Sequence, residues 1–291
     1  MHAASFTLPG VLYRRDAEAP EVPLVFDSPH SGVKYPGDFD FTCALEQLRT
    51  AEDTYVDELY GAAPAHGGTI IGAFFPRSYI DANRNLADID QELLDAPWPG
   101  EVMPGEKSRL GMGLIRRLAV PKTPVYGRKL GVAEVQARID RYYHPYHREL
   151  AAVADRLHAC FGGVWHVNCH SMKSVSNAMA SEGPGVARAD FVLGDRDGTT
   201  CGPELTQFVL QFLRDRGYDV KVNDPYKGVE LVRRHGRPRE NRHSLQIEVN
   251  RKLYMDETTF ERNGNFPRLK ADLDELVKAL AEFARERASR N

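Results

Sequence analysis

The 291-residue sequence predicts an α/β fold that forms one large domain, residues 1–291, with a mixed central sheet flanked by helices. Short β-rich runs alternate with amphipathic helical patterns along the chain, which favours a sheet covered by helices over a sandwich or a helical bundle. With 42% hydrophobic and 27% charged residues, the composition is that of a globular protein able to bury a substantial core. No internal repeat or clear linker divides the chain.

Six apolar, β-rich runs that end at turn-forming residues are predicted as strands. They are residues 23–27, 69–75, 163–169, 190–193, 218–222 and 244–250. Apolar residues recur at spacings of three and four from residue 132 to residue 157, which predicts a long helix that is interrupted or kinked near Pro145. The same spacing predicts helices around residues 205–213 and 269–283.

Two stretches rich in glycine and proline, residues 96–113 and 223–242, break this pattern. Both are long enough to be functional loops or lids over a binding site. A further helix is predicted to start near Asp53 and to continue to about residue 65.

The charge and apolar content of the chain disfavour some function classes. A formal net charge of −3, with basic residues spread along the chain, gives no general attraction to nucleic acid or anionic membranes, so any anion must be recognised locally. The longest apolar runs, near residues 22–26 and 69–75, are far too short to cross a bilayer, and the N-terminus lacks a signal pattern. Four scattered cysteines without a C-x-x-C pair favour reduced thiols. We therefore expect a cytoplasmic protein without a membrane partner.

Two histidines lie where predicted strands end. His30 lies in the segment SPHSG at residues 28–32, and His170 ends a run whose period of two places His166, Asn168 and His170 on one face. In open α/β sheets the ligand crevice lies beyond the carboxyl ends of the strands. A single histidine there is more often a hydrogen-bonded loop residue, but two of them could together bind Zn²⁺, which commonly takes three protein ligands.

A third ligand is best supplied by the segment AEDTYVDELY at residues 51–60. Asp53 is the preferred candidate, and Glu52 and Asp57 are weaker alternatives. Asp53 is equally compatible with a role as a helix N-cap, in which its side-chain oxygen accepts a backbone N–H. No compact motif such as H-E-x-x-H is present, so a metal site must be assembled from distant segments.

Glu248 lies inside the run SLQIEVN at residues 244–250, which otherwise has the character of a buried strand. Burying an unpaired carboxylate is costly, so the side chain must find a partner or hold a proton more readily. Beside a metal ion that activates water, it could accept a proton and later deliver it to a leaving amine. A structural salt bridge with Arg251 or another arginine is the alternative.

A clamp for a carboxylate is suggested by the segment RSYIDANRN at residues 77–85, which follows another predicted strand. Arg84 can bind a carboxylate through two parallel N–H bonds, and Asn83 or Arg77 could complete the clamp. Taken alone, these side chains would be interpreted as solvated surface residues.

Together, these motifs resemble the N-formylglutamate amidohydrolase family, whose fold resembles that of the zinc carboxypeptidases and aspartoacylases. The resemblance therefore implies a phosphorylase/hydrolase-like fold of the zinc-exopeptidase type. The similarity extends over about residues 23–256 and is carried by the segments SPHSG, DTYVD, DANRN, CHSM, NDPYKG and QIEVNRKLYMDE. The resemblance implies that one zinc ion is bound by His30, His170 and Asp53.

The reaction that the resemblance implies is hydrolysis of N-formyl-L-glutamate to formate and glutamate, in histidine degradation. Zinc would acidify water and polarise the formyl carbonyl while Glu248 acts as the general base. Asn83 and Arg84 would bind the α-carboxylate, and Arg84 or Arg77 would stabilise the oxyanion or hold a carboxylate. A dicarboxylate needs at least two cationic contacts. The stretch 223–242 offers Lys227 and Arg237 as predicted substrate contacts, beside Arg233 and Arg234.

Three alternatives remain open from the sequence. The same metal site could hydrolyse another N-acyl amino acid or a short acidic peptide. The basic run at residues 233–243 could bind nucleic acid, but it lacks interleaved aromatic residues and lies in a net-acidic chain. A non-catalytic carboxylate binder would keep the clamp without an open metal position. The expected partner is therefore a small acidic N-acyl amino acid and not a nucleic acid.

Overall fold

The computed structural model describes residues 5–288, which contain an eight-stranded sheet and a two-stranded sheet. The strands in this range are β1 (Ser5–Leu8), β2 (Leu12–Arg15), β3 (Leu24–Ser28), β4 (Thr69–Ala73), β5 (Leu118–Val120), β6 (Thr123–Pro124), β7 (Val164–Met172), β8 (Phe191–Gly194), β9 (Val220–Val222) and β10 (Arg242–Asn250). The α-helices are α1 (Leu45–Arg49), α2 (Val56–Leu59), α3 (Glu106–Arg109), α4 (Val132–Arg138), α5 (His144–Phe161), α6 (Pro203–Asp215), α7 (Glu230–His235) and α8 (Phe266–Ala288). Short 3₁₀ turns lie at Ala63–His66, Gln91–Leu93, Pro238–Glu240 and Arg251–Leu253.

The large sheet is mixed, with the strand order β1-β2-β4-β3-β7-β10-β8-β9. Its central strands β4, β3, β7 and β10 run parallel, whereas β8 is antiparallel to β10, β2 is antiparallel to β4, and β1 is antiparallel to β2. Parallel strands present their carboxyl ends at the same edge of a sheet, so the residues that follow these four strands gather there. The predicted α/β fold with a mixed central sheet flanked by helices is confirmed.

On β7 and β10, side-chain alternation gives one largely apolar and one largely polar face. On β7, Trp165 and Cys169 belong to the hydrophobic core that includes the apolar stripes of α6 and α8. His166 lies on the opposite face, where it contacts Asp27 of β3, and Asp27 in turn accepts a hydrogen bond from Tyr146 of α5. The polar face of the sheet is therefore covered by α5 and leads to the carboxyl edge.

Each of the six predicted strands is present, with its ends shifted by a few residues. The hairpin β1–β2 and the small sheet β5–β6 are missing from the prediction because their strands have only two to four residues. Such short strands show too few alternations to be separated from loops.

The helix predicted from Asp53 to about residue 65 is wrong. Tyr55 has a left-handed backbone with φ of 66°, α2 then has only four residues, and a 3₁₀ turn follows at Ala63–His66. The long helical pattern from residue 132 is present as α4, a π-helical turn at Ile139–Tyr143 and α5. The interruption predicted near Pro145 is this turn, and the proline lies in the first turn of α5, where no N–H donor is needed.

The stretch 223–242, predicted to be a loop, contains α7 and a 3₁₀ turn. Within residues 5–288, no helix is both long enough and apolar enough to cross a membrane. All four cysteines lie in this range and are free thiols.

Candidate metal centre and substrate pocket

Two histidines and one aspartate converge at the carboxyl edge of the central strands. Nδ1 of His30 lies 3.3 Å from Oδ2 of Asp53, and Nδ1 of His170 lies 3.0 Å from the same oxygen. One donor atom from each residue lies within 4.8 Å of the other two, and all three side chains are buried. The structure therefore brings together the three residues that the sequence predicts as metal ligands.

The loop that follows β3 positions His30 through close backbone packing. A Cβ atom on Gly32 would lie 2.3 Å from the carbonyl oxygen of Phe75, so a larger residue would displace the loop. The backbone N–H of Asp53 donates to the carbonyl of His30 at 2.9 Å, and the hydroxyl of Ser31 donates to the carbonyl of Asp53 at 2.8 Å. Two segments that are distant in sequence are thereby held side by side.

Each histidine is oriented by a partner on its other ring nitrogen. Nε2 of His30 lies 2.7 Å from Oδ1 of Asp81, and Nε2 of His170 lies 2.7 Å from Oδ1 of Asn168. An oxygen that accepts at Nε2 favours the tautomer in which Nε2 carries the hydrogen and Nδ1 keeps its lone pair. Both Nδ1 lone pairs then face the region of Asp53.

The surroundings of Asp53 favour its ionised form despite its complete burial. Burial alone would raise the pKa of Asp53, but the neighbouring His170 and His30 and the charge of Arg77 hold that pKa well below its usual range. Its Oδ1 accepts a hydrogen bond from Arg251 at 3.0 Å, which leaves Oδ2 directed at the two histidines. The aspartate is fixed in the orientation that a metal ligand requires.

The weaker candidates for the third ligand point elsewhere. Glu52 accepts a hydrogen bond from the hydroxyl of Tyr35, and Asp57 accepts one from the hydroxyl of Tyr13 at 2.9 Å. Asp53 also does not cap α2, because no side chain caps the start of that helix. Of the roles that the sequence left open for Asp53, the geometry favours the metal ligand.

The three donors fit a metal ion, and their chemistry fits zinc. Nδ1 of His30 is buried and has no hydrogen-bond partner within residues 5–288. Tetrahedral ligands at bond lengths of about 2.0–2.1 Å lie about 3.3 Å apart, close to the measured separations of 3.0 and 3.3 Å from Asp53. Two imidazole nitrogens and one carboxylate oxygen form a donor set that zinc uses in catalytic sites.

Glu248 lies beside this centre on the neighbouring strand. β7 and β10 are parallel, and their register places Glu248 opposite His170. Its Oε1 accepts a hydrogen bond from Gln246 at 2.9 Å, but Glu248 forms no ion pair with any residue in the range 5–288. The structural alternative is not realised, because Arg251 pairs with Asp53 instead. Burial therefore raises the pKa of Glu248, and the negative charge of Asp53 adds to this effect.

A cavity of about 140 Å³ lies next to the centre and is lined by cations. Its basic residues are Arg77, Arg84, Lys107, Arg116, Lys173, Arg188 and Arg251. Within the described part of the chain, no aspartate or glutamate lines it, and apolar walls are provided by Met112, Ala119, Met172 and Met179. In a chain with a net charge of −3, this is the kind of local positive site that selects a small anion.

Arg77 and Arg84, predicted from the sequence to contact substrate, both line this cavity. Arg77 donates two hydrogen bonds to Oδ2 of Asp81, at 3.1 and 2.7 Å. Arg84 lies 3.9 Å from the same carboxylate, and its Nε donates to the carbonyl of Met112 at 3.2 Å. Asp81 thus positions both guanidinium groups as well as His30.

Asn83, also predicted to bind substrate, does not line the cavity. Its Nδ2 donates to Oδ1 of Asn168 at 3.4 Å, and its Oδ1 accepts from the backbone N–H of Leu231 at 2.9 Å. Both polar ends of the amide are therefore engaged within the protein, between the metal centre and α7.

Lys227 and Arg237 are not brought to the cavity. Lys227 is more than half exposed and pairs with Asp197, and Arg237 pairs with Glu240 on the surface. Several other cations of the basic run at residues 233–243 are likewise matched by nearby acids, which leaves less unpaired positive charge there than the sequence suggests. These pairs are Arg233 and Arg234 with Glu230, and Arg242 with Asp155.

Several residues of the site have no metal-binding, catalytic or substrate-binding role in the sequence interpretation. They are Asp81, Lys107, Arg116, Lys173, Arg188, Tyr226 and Arg251. Lys173 and Arg251 directly follow β7 and β10, so the strand-end rule that selects His30 would also have selected them. Arg116 lies in an irregular segment, and nothing in its local sequence indicates that it is buried.

Four features together define the class of protein. They are the mixed sheet, the convergent donors at its carboxyl edge, the unpaired carboxylate beside them and the cationic cavity. They are the features of a hydrolytic α/β enzyme that acts on a small anionic substrate.

The family follows from comparison with known proteins. The chain belongs to the N-formylglutamate amidohydrolase family, whose model matches residues 22–255. It is 28% identical over 274 residues to the N-formylglutamate deformylase of Pseudomonas aeruginosa, which covers 91% of this chain and 95% of the relative. It is 26% identical over 282 residues to the N-formylglutamate deformylase of Pseudomonas putida, and that match covers 92% of this chain and 96% of the relative.

A crystal structure of N-formylglutamate amidohydrolase from Ralstonia eutropha JMP134 is similar in both sequence and fold. It is 51% identical, has a TM-score of 0.91, and the match covers 95% of this chain and 99% of that one. The family resemblance predicted from the sequence motifs is therefore confirmed.

Proposed function

We propose that the protein hydrolyses N-formyl-L-glutamate to formate and L-glutamate and uses one zinc ion held by His30, Asp53 and His170. The observation that carries the proposal is the position of Glu248, a buried carboxylate without an ion-pair partner in residues 5–288, opposite His170. The names of the relatives and the acid-free cationic cavity support a formylated amino acid with negative charge as the substrate.

Zinc, when bound, would polarise the formyl carbonyl and acidify water, which is the chemistry it supplies in hydrolytic sites. The role of the chain is to keep both Nδ1 lone pairs directed at one point. Asp81 and Asn168 perform this role through the Nε2 atoms of His30 and His170.

Glu248 moves the protons of the reaction. As a carboxylate it accepts a proton from the attacking water, whose oxygen forms a bond with the formyl carbon. When the bond between that carbon and the nitrogen breaks, the same carboxyl group returns the proton to the nitrogen, and glutamate leaves as the amine. A raised pKa makes Glu248 a stronger base than a solvated glutamate, which suits this exchange.

Arg84 binds the α-carboxylate and Arg77 faces the oxygen on which negative charge develops. Both line the cavity, and both are held by Asp81. A preorganised guanidinium stabilises an oxyanion without reorganisation during the reaction. Asn83, with both polar ends engaged, positions Asn168 and α7 instead of contacting the substrate.

The experiment that tests this proposal combines metal analysis with a formate assay on the purified protein. We expect about one zinc ion per chain, loss of formate release after chelation, and recovery on adding zinc. Equal activity of metal-free and zinc-loaded protein would contradict the metal assignment. The substrate is tested by comparing the rates at which N-formylglutamate, N-formylaspartate and N-acetylglutamate are hydrolysed. Faster hydrolysis of either analogue would make that analogue the preferred substrate in place of N-formylglutamate.

A further inference from the structure

Arg116 is a buried cation without an acidic partner. Its side chain lines the cationic cavity, and the residue is only 8% exposed. Its Nε atom is buried and makes no hydrogen bond, and Arg116 forms no ion pair with any residue in the range 5–288. A protein interior stabilises an ionised group only when a partner is present, so this arrangement is costly as it stands.

The other arginines that line the cavity differ from Arg116 in this respect. Arg77 lies 2.7 Å from Asp81 and Arg251 lies 3.0 Å from Asp53. Arg188 likewise has an acidic partner, Glu182, at 2.6 Å. Arg84 has the carbonyl of Met112 at 3.2 Å and the carboxylate of Asp81 at 3.9 Å.

The electrostatic surroundings of Arg116 make the lack of a counter-ion more severe. Burial, together with the positive charges of Arg77 and Arg84, lowers the pKa of Arg116 to about 9 against the opposing effects of Asp81 and Asp53. A guanidinium group nevertheless stays charged at neutral pH. The structure therefore holds a positive charge in a place where only an incoming anion can compensate it.

We propose that Arg116 binds the side-chain carboxylate of the substrate and thereby restricts the enzyme to formylated amino acids with an acidic side chain. This inference rests on the proposed function, in which Arg84 holds the α-carboxylate and Arg77 faces the developing oxyanion. Arg116 is then the arginine of the cavity that is left with no acid, and a second carboxylate is the group that remains on the substrate.

The walls of the cavity agree with a short aliphatic spacer between the two carboxylates. Met112 and Ala119 flank Arg116 in sequence and line the same cavity, together with Met172 and Met179. These apolar side chains can cover methylene groups while the guanidinium forms two parallel hydrogen bonds with the terminal carboxylate. A free Nε can serve as one of the two donors of such a bidentate pair.

The test compares two substrates that differ in one charge. N-formyl-L-glutamine has the shape of N-formyl-L-glutamate but a neutral side chain. For Arg116→Gln we expect kcat/KM on N-formylglutamate to fall by about 100-fold, mostly through KM, because a buried charge pair is lost. On N-formylglutamine the same variant should stay within about threefold of the unchanged enzyme. Arg116→Lys should recover part of the loss, since it restores charge without the fork.

Arg117→Gln is the matched control. Arg117 is the next residue, but it pairs with Asp90 and Glu92 and does not line the cavity. This variant should leave kcat/KM unchanged for both substrates. Equal losses of Arg116→Gln on both substrates, or no loss on N-formylglutamate, would overturn the inference.

A binding measurement separates the inference from the proposed function. Calorimetric titration with glutarate and with its monoamide needs no turnover, so it remains decisive if no formyl substrate is hydrolysed. The unchanged protein should bind glutarate at least about 10-fold more tightly than the monoamide, and Arg116→Gln should abolish the difference. Equal affinities in the unchanged protein would refute the role of Arg116. The melting temperature of Arg116→Gln should not fall, since an unpaired buried charge is removed; a clear decrease would indicate a structural role instead.

Discussion

Two clusters of polar side chains lie on the same face of the central strands, and they differ in how their hydrogen bonds are completed. In the inner cluster, Asp27 accepts from His166, Asn168 and Tyr146 at 2.7–2.8 Å. The other ring nitrogen of His166 lies 2.7 Å from the hydroxyl of Ser244. Every polar group in this inner network has a partner inside the protein.

The outer cluster, at the carboxyl edge, also combines histidine and carboxylate side chains, but it is not complete. Nδ1 of His30 has no hydrogen-bond partner, and neither Glu248 nor Arg116 has an ion-pair partner in residues 5–288. Folded proteins rarely leave buried polar groups unsatisfied, so such groups indicate where a ligand completes the structure. The comparison teaches that missing hydrogen-bond and ion-pair partners, and not residue type, distinguish the candidate site from a structural network.

Asn168 connects the two clusters. A carboxylate can only accept, so the contact with Asp27 fixes the amide of Asn168 with its nitrogen toward Asp27 and its oxygen toward Nε2 of His170. The complete inner network therefore orients His170, which belongs to the incomplete outer cluster.

The largest expected effect comes from Glu248→Gln, which keeps the shape of the outer cluster but removes its proton acceptor. Formate release should fall by about 10²- to 10⁴-fold, the usual contribution of a general base. Zinc content should not change, because Glu248 is not one of the three donors. A formate assay and elemental analysis of the same sample check both points, and retained activity would remove Glu248 from the mechanism.

A second prediction concerns the inner network. Asp27→Ala removes a buried acceptor from three donors at once, so the free energy of unfolding should fall by about 3 kcal/mol or more. Chemical denaturation measures this change. A loss below about 1 kcal/mol would mean that the inner cluster is not the closed network described above.

The same variant has a defined pH dependence. Burial alone would raise the pKa of Asp27, but the hydrogen bond and charge of His166, with Asn168 and Tyr146, hold it below its usual range. Ionised Asp27 therefore stabilises the folded protein fully above the pKa of about 3.9 that an aspartate has in the unfolded chain. This stabilisation is lost as the pH falls through the lower pKa of Asp27 in the folded protein. The difference in unfolding free energy between Asp27→Ala and the unchanged protein should narrow below about pH 4.

A third, smaller effect is expected for the residues that orient the metal ligands. Asp81→Asn can present an N–H group to Nε2 of His30, which disturbs the required tautomer. Zinc affinity should fall by about 10- to 100-fold, as measured by competition with a chelator. Asp57→Asn makes the same chemical change where the carboxylate contacts Tyr13, and it should leave zinc affinity unaltered.

The smallest effect concerns the cations of the cavity. Burial, together with the charge of Arg251, lowers the pKa of Lys173 to about 8. Lys173 is charged below that value and neutral above it, so kcat/KM for N-formylglutamate should decline a few-fold as the pH rises through about 8. In Lys173→Arg the decline should move to higher pH by about one unit or more, since arginine keeps its charge. An unchanged profile would exclude Lys173 as its source.

The sequence predicts much of the sheet and the two histidines of the proposed metal centre for one physical reason. Period-two alternation along β7 assigns His166, Asn168 and His170 to one face, and the end of a strand directs His30 and His170 to the same edge. These are local rules that depend only on neighbouring residues.

The parts that the sequence does not predict depend on loop geometry and on long-range pairing. The sequence prefers Asp53 as the third ligand but leaves Glu52 and Asp57 open, because the path of an irregular segment, which no periodicity encodes, decides which carboxylate reaches the histidines. Arg116 reaches the cavity through another irregular segment, whereas Lys227 and Arg237 are held on the surface by nearby acids. A count of arginines near a predicted loop cannot show which of them the protein has already neutralised.

The parallel register of β7 and β10 makes this enzyme more sensitive to changes in chain length than to many changes in composition. Removing or adding a single codon in β10 before Glu248 would invert the parity of the strand, so an apolar neighbour such as Ile247 would lie opposite His170. The carboxylate of Glu248 would then lie in the hydrophobic core that contains the apolar residues of α8. Among related genes, we therefore expect substitutions in this strand to be far more frequent than odd-numbered insertions or deletions.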